Sequence, residues 1–192
     1  MITLGNTQTS NTCFVGIWGN HAQTTDPSVV NVYYNSVYIT GTVTSGAQPS
    51  FGYLRGDLSS TARKVPVDIR NNIFNNDRTG GTGSHYAISN NYGATASAAG
   101  WGINASNFNI LNSASASTVG YWNADQTFAT WQTASASDAL SLTAIPVTFL
   151  SFATGDLHLN MGLTPTQLES GGIVISAVTT DIDGQTRPGP AG

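Results

Sequence analysis

"NVYYNSVYIT", residues 31–40, is made of Val, Tyr and Ile, which favour extended chain, interrupted by two asparagines. Asn is depleted from strands and enriched at bends, so the stretch predicts strand that bends at asparagine. Related stretches follow at "VDIRNNIFNN" (67–76) and "SNFNILNS" (106–113). Setting "YNSVYI" (34–39) over "RNNIFN" (70–75) places Asn35 on Asn71, Val37 on Ile73 and Tyr38 on Phe74, an offset of 36, and Asn109 follows Asn71 by 38. A unit that recurs in this way predicts a coiled, repetitive sheet. In a parallel β-helix each coil turns sharply between strands, and Asn tolerates the left-handed backbone such a turn needs. Stacked coils would set Asn over Asn about 4.8 Å apart, close enough for amide-to-amide bonds.

Short apolar runs separated by Gly, Asn, Ser and Thr fill the rest of the chain. They are "CFVGIWG" (13–19), "VVNVYYNSVYIT" (29–40), "SFGYLRG" (50–56), "VPVDIRNNIF" (65–74), "HYAISNN" (85–91), "WGINASNFNIL" (101–111), "VTFLSF" (147–152) and "GIVISAV" (172–178). Such a pattern predicts an all-β protein, with a β-sandwich or jelly roll as the alternative to a solenoid. The repeat exceeds a coil of about 20 to 29 residues, so loops are expected to intrude at 41–50 and 75–84. One helical segment is expected within "TFATWQTASASDALSL" (127–142), with Thr127 or Asp125 as its cap. The whole of 1–192 is expected to form one domain, a piece of a longer chain, with 179–192 as a tail.

Composition narrows the function classes. Ser, Thr and Asn make up about a third of the 192 residues, while charged residues are 8% and the net charge is −4. A single Lys (Lys64) and a single Glu (Glu169) leave no material for salt-bridged helices. Nucleic-acid binding needs clustered Lys and Arg to replace counterions, and no such patch exists. No apolar run reaches the length of a membrane span. The lone Cys13 cannot form an internal disulfide and is expected to be a small buried residue.

The richest cluster of chemistry lies in "RKVPVDIRNNIFNNDR" (63–78). Asp68 and Arg70 are two apart and so point to one side of a strand. A hydrolase or lyase site on a coil face would draw on Asp68, Arg70, Asp77, Arg78 and His85, and the pair Asp68–Arg70 could grip a uronate. The competing expectation is a surface ion pair of little weight. His21, His85 and His158 lack metal-ligand spacing, yet successive coils can bring distant residues together, so a divalent-metal site, zinc or calcium, is carried as a second expectation. "TDIDGQTR" (180–187) offers Asp181, Asp183 and Gly184 but no bidentate Glu, which favours an Asp-Gly turn over a calcium loop. Ten Tyr and Trp residues (Tyr33, Tyr34, Tyr38, Tyr53, Tyr86, Tyr92, Trp101, Tyr121, Trp122 and Trp131) exceed a thin core. They either pack loops onto the coil or stack on sugar rings.

From Asn31 onward the chain resembles the C-terminal part of secreted bacterial right-handed parallel β-helix surface proteins with pectate-lyase-like coils. The stretches that carry the resemblance are "NVYYNSVYITGT", "VDIRNNIFNN", "FATWQTASASDALSL", "IPVTFLS", "DLHLN" and "VTTDIDGQTRP". It implies a right-handed solenoid with long loops and an extracellular or cell-surface origin. It implies no single reaction. Two functions are therefore expected: a scaffold or glycan-binding module, or alternatively a hydrolase or lyase acting on a polysaccharide, ester or phosphoester. Open coil ends would favour a homodimer through the sheet ends.

Overall fold

The computed structural model describes residues 1–21, 28–59, 62–163, 168 and 171–187. In chain order its strands begin with β1 (Ile2–Leu4), β2 (Phe14–Gly19), β3 (Val30–Tyr33), β4 (Ser36–Ile39), β5 (Thr42–Val43) and β6 (Ser50–Arg55). Next come β7 (Val67–Arg70), β8 (Ile73–Asn76), β9 (Thr79–Gly80), β10 (His85–Asn90), β11 (Ser106–Asn107) and β12 (Ile110–Ser113). They are followed by β13 (Gly120–Trp122), β14 (Asp125–Gln126), helix α1 (Phe128–Ser135), β15 (Phe149–Ser151) and β16 (Asp156–Leu159). The protein is all-β, with strands where all but one of the expected runs lie.

The strands form three main sheets, ordered β1-β4-β8-β12, β14-β13-β10-β6-β2 and β11-β7-β3, plus the small pairs β5-β9 and β15-β16. Pairing is parallel apart from the antiparallel pairs β13–β14 and β15–β16. This departs from the sandwich alternative, whose strands pair antiparallel. From β2 to β13 the chain visits the sheets in a recurring order, so each strand lies beside the one a repeat earlier. Val30 sits beside Val67 and Ile110 beside Ile73, both 37 residues apart.

That register corrects the alignment expected from sequence by one residue. Val37 lies beside Phe74, not Ile73, and Tyr38 beside Asn75. At this corner of successive repeats the left-handed residues are Tyr34, Asn71 and Phe108, with φ of 56°, 60° and 56°. The asparagines that bond to one another come one position later. Asn35 Nδ2 donates to Asn72 Oδ1 at 3.1 Å, and Asn72 Nδ2 donates to Asn109 Oδ1 at 3.0 Å. Asn71 belongs to the corner and Asn72 to the ladder, a distinction that a run of two asparagines conceals. The ladder ends where Asn109 N–H donates to Ser141 Oγ at 2.9 Å.

Inward positions alternate as a pleated strand requires. Val37, Ile39, Val67, Ile69, Phe74, Ile88 and Leu111 are buried in one cluster with Tyr53 and Trp131. Strands β6 and β10 are instead buried along their full length, because Phe51, Leu54 and Tyr86 on their other face are covered by Cys13, Tyr92 and Tyr121. Cys13 is only half-buried, at the margin of this second cluster.

The length of the repeat goes into loops on either side of these strands. The expected stretches 41–50 and 75–84 carry β5 and β9, which pair with each other. The larger excursions are 56–66 and 91–105, and a buried arginine ties them down. Arg55 donates through Nη2 to Val65 O (2.9 Å) and Ala99 O (2.5 Å), and through Nη1 to Ser97 O (3.0 Å) and Asn90 Oδ1 (3.2 Å). Removal from water lowers its pKa to about 10, and the carbonyl ring in place of a carboxylate partner explains why bonds rather than charge hold it.

The helix forms at 128–135 with Thr127 as cap, its Oγ1 accepting from Thr130 N–H at 3.3 Å. Trp131 on this helix is wholly buried and meets Trp101 and Trp122 edge-to-face. Together α1, β14 and residues 136–145 lie over the last strands: Leu142 bridges Ile110 and Asp138 N–H bonds Ser106 O. The expectation of uncapped coils therefore fails at this end, while β1, β2 and β3 are the edge strands at the other.

The run 172–178 forms no strand. Its backbone bonds side chains instead: Ile173 pairs with the Asn71 amide in both directions, at 2.6 and 2.8 Å, and Tyr34 Oη donates to Ile173 O at 2.9 Å. Without a neighbouring strand edge, apolar β-branched residues do not make a ladder.

Candidate functional site

Asp68 and Arg70 stand on β7, two residues apart, on the outer side of the sheet whose inner positions are Val67 and Ile69. The guanidinium grips the carboxylate with two bonds, Nε to Oδ1 at 2.5 Å and Nη2 to Oδ2. Tyr33 on the neighbouring strand β3 donates its hydroxyl to Asp68 Oδ2 at 2.6 Å, and Arg70 lies 5.8 Å from the centre of the Tyr33 ring. Parallel register supplies this contact, because Asn31 is the neighbour of Asp68 and Tyr33 that of Arg70. Burial works against the Asp68 charge, but the bonds from Arg70 and Tyr33 outweigh it and hold the carboxyl below its ordinary value. Arg70 is raised in turn by the same partner.

The pair borders an open cleft of about 450 Å³, whose wall opposite is the segment 98–105. Arg55 positions that segment through Ala99 O, and Val67 N–H bonds Gly100 O at 3.1 Å. Gly100 has φ +73°, and a Cβ there would come within 2.1 Å of Lys64 O, so this close approach requires glycine. Ile103 and Val29 supply exposed apolar surface, 83% and 47% accessible. Among the described residues that line it, Asp68 is the sole acid and Arg70 the sole base.

The other residues expected in a site are elsewhere. Asp77, exposed, accepts from Asn75 Nδ2 at 2.8 Å. Arg78, its neighbour in sequence, turns inward, fully buried, with its guanidinium 4.1 Å above the Phe14 ring and Nη2 bonded to Ser10 O at 2.8 Å. His85 is on β10, in a different sheet from Asp68 and Arg70. Arg78 and His85 share a smaller cavity of about 290 Å³ with Ser84, Ser113 and Thr118. Four of the five residues thus fall into two separate pairs, Asp68 with Arg70 and Arg78 with His85, and Asp77 lines neither cavity.

His85 Nδ1 and Ser50 Oγ are 2.9 Å apart. This neighbouring pair follows from the parallel register of β6 and β10, and a 35-residue spacing was the signal that could have found it. Ser50 has no accessible surface and is also bonded by Asn76 Nδ2 at 3.0 Å. A serine with these constraints cannot reach a substrate, so the contact ties strands together. Burial lowers the imidazole pKa and keeps His85 neutral at physiological pH.

The three histidines do not converge. His21 is exposed just after β2, His85 lies on β10 and His158 on β16. His158 has both ring nitrogens committed to carboxylates, Nδ1 to Asp156 at 2.6 Å and Nε2 to Asp183 at 2.8 Å. Asp181 Oδ1 accepts from Asp183 N–H (3.0 Å) and Gln185 N–H (2.8 Å), an Asp-Gly turn as the sequence favours. Among the described residues, no group of three His, Cys, Asp or Glu side chains is placed to hold a metal ion.

Ten of the eleven Tyr and Trp residues are buried or half-buried, while Trp18 on β2 is 49% exposed. Tyr86, Tyr92 and Tyr121 pack with Phe51 under the loops, and Trp101, Trp122 and Trp131 form a second group. These six pack loops onto the strands. No family model, curated protein or solved structure matches this chain.

Proposed function

We propose that the chain is a right-handed parallel β-helix module from a secreted or surface-displayed bacterial protein, and that it binds glycans without turning them over. Parallel strands that recur in one order support the solenoid, and connections between parallel strands are right-handed in about 98% of cases. The resemblance of most of 31–188 to secreted β-helix proteins supports the extracellular origin. One observation carries the preference for binding over chemistry: Asp68 lies at an open cleft, ionised, with both oxygens already accepting from Arg70 and Tyr33. A glycosidase acid must keep its proton, and a paired-carboxylate mechanism needs a second acid about 5 to 9 Å away. Among the described residues, the cleft lining contains one acid.

Small residues (Ala98, Gly100, Gly102 and Ala105) on the wall opposite leave room for a sugar ring, while a paired carboxylate and guanidinium offer acceptors and donors to hydroxyls. The test is a glycan array on the pure protein, run beside a screen on polysaccharide, ester and phosphoester substrates. Binding without turnover, reduced by Arg70→Ala, is the expected result. Turnover lost on Asp68→Ala, or lost with a chelator, would replace this reading with a hydrolase or lyase.

A further inference from the structure

The charge arithmetic at the cleft selects among glycans. On the reading above, that this cleft binds saccharide, we propose that it takes neutral, hydroxyl-rich saccharides and discriminates against uronates. An arginine at a carbohydrate site invites the opposite expectation, because its planar fork matches a carboxylate. Here one edge of the fork and its charge are taken up. Nε and Nη2 both face Asp68, so a carboxylate on the remaining Nη1–Nη2 edge would add a second negative charge to a pair that is already neutral.

A uronate arriving at Arg70 would have to displace Asp68 or approach beside it. Displacement strands a half-buried carboxylate from the partners that keep it ionised, and close approach sets two carboxylates together, which raises the pKa of one of them. No other cation lines the cleft to offset either cost. Tyr33 secures the arrangement from the side, since its hydroxyl spends its proton on Asp68 Oδ2 at 2.6 Å. A neutral sugar meets none of this. Adjacent hydroxyls donate to the remaining lone pairs of Asp68 and accept from Arg70, while the apolar face of the ring rests against Ile103 and Val29, the exposed aliphatic residues of the lining. Because the pair is neutral overall, binding of this kind carries little salt dependence.

The experiment compares neutral and uronate oligosaccharides of equal length by calorimetry at low and high salt, on the wild type, Asp68→Asn and Arg70→Gln. The wild type is expected to bind the neutral ligand with an affinity that salt barely changes. Asp68→Asn frees the guanidinium, so it should gain uronate binding that salt weakens, and lose about tenfold for the neutral ligand, the scale of one hydrogen bond. Arg70→Gln should lose neutral binding without gaining uronate. Circular dichroism and melting of each variant separate a changed site from a lost fold, and the wild-type comparison stands without them. Preferential uronate binding by the wild type would overturn this inference and leave the glycan-binding reading intact. Absence of binding to either class by the wild type and by Asp68→Asn would overturn both.

Discussion

Asn109 Oδ1 accepts two bonds from Asn72, from its backbone N–H at 2.9 Å and from its side-chain Nδ2 at 3.0 Å. One repeat earlier, Asn72 Oδ1 accepts the same two bonds from Asn35, at 3.0 and 3.1 Å. The Asn72 amide also donates to Val32 O and Arg70 O. Each asparagine therefore satisfies backbone groups that the turn between β3 and β4, or β7 and β8, would otherwise strand. This makes the middle rung the costly one to remove. Asn72→Ala is expected to destabilise the fold by about 2–4 kcal/mol, since each stranded buried group costs about 1–3 kcal/mol. Asn35→Ala, at the half-exposed end of the ladder, should cost less than half as much. Urea unfolding of the two variants checks this, and equal losses would mean that the ladder is not what holds these corners.

The same corner shows how far the sequence could be read. The asparagine signal was legible because stacking demands the same residue type at each rung, and so was the parallel arrangement it implies. The register was not. Asn71 and Asn72 are adjacent and chemically identical, so only the position of the left-handed residue, Tyr34, Asn71 or Phe108, tells corner from rung. Asp68 and Arg70 could be placed on one side of a strand because that follows from the pleat alone. Their third partner, Tyr33, comes from the neighbouring strand and depends on the register. Arg78 and Asp77 show the converse: both fall beyond β8, where no strand period fixes direction, and one is buried while the other is exposed. The segment "GIVISAV" has strand composition but no edge to join, and composition cannot supply an edge.

A carboxylate buried at the covered end gives the fold an acid-side signature. Asp138 is fully buried and accepts from Trp131 Nε1 (2.8 Å), Ser141 Oγ (2.6 Å), Ser106 Oγ (2.9 Å) and Asn109 Nδ2 (3.3 Å). Burial raises its pKa, and these four donors only partly counter that. Above the ordinary carboxyl value of about 3.9 and up to the raised native one, the native state binds the proton that the unfolded chain has lost. Stability should therefore fall as pH rises through that window. Asp138→Asn should flatten this part of the curve, whereas Asp138→Ala should lower stability at every pH by leaving donors stranded. Thermal midpoints of the three proteins against pH test it, and a wild-type slope that survives Asp138→Asn would assign the effect to another group.

The histidine that pins the C-terminal segment should act in the same direction at higher pH. His158 on β16 bonds Asp156 on its own strand and Asp183 in the turn that follows Thr180. The bonds to Asp156 and then Asp183 raise the imidazole pKa, against a smaller lowering by burial. A raised native value means the protonated form holds the turn. The contribution is complete below about pH 6.5, the ordinary imidazole value, and is lost as pH rises through the native one. Both partners are carboxylates, so the neutral ring can donate to one of them only and leaves the other facing a lone pair. The other anchors of 171–187, Tyr34 and Asn71 on Ile173 and Arg187 lying 3.8 Å from the Tyr34 ring centre, make no contact with the imidazole. The segment is therefore expected to loosen at the Asp183 end while the Ile173 end stays in place. Limited proteolysis across pH 5 to 9 should show cleavage near 181–186 rising with pH in the wild type, and already high at low pH in His158→Ala and Asp183→Asn. Cleavage that is independent of pH in the wild type, or that first appears at 171–175, would show that the imidazole does not hold this turn.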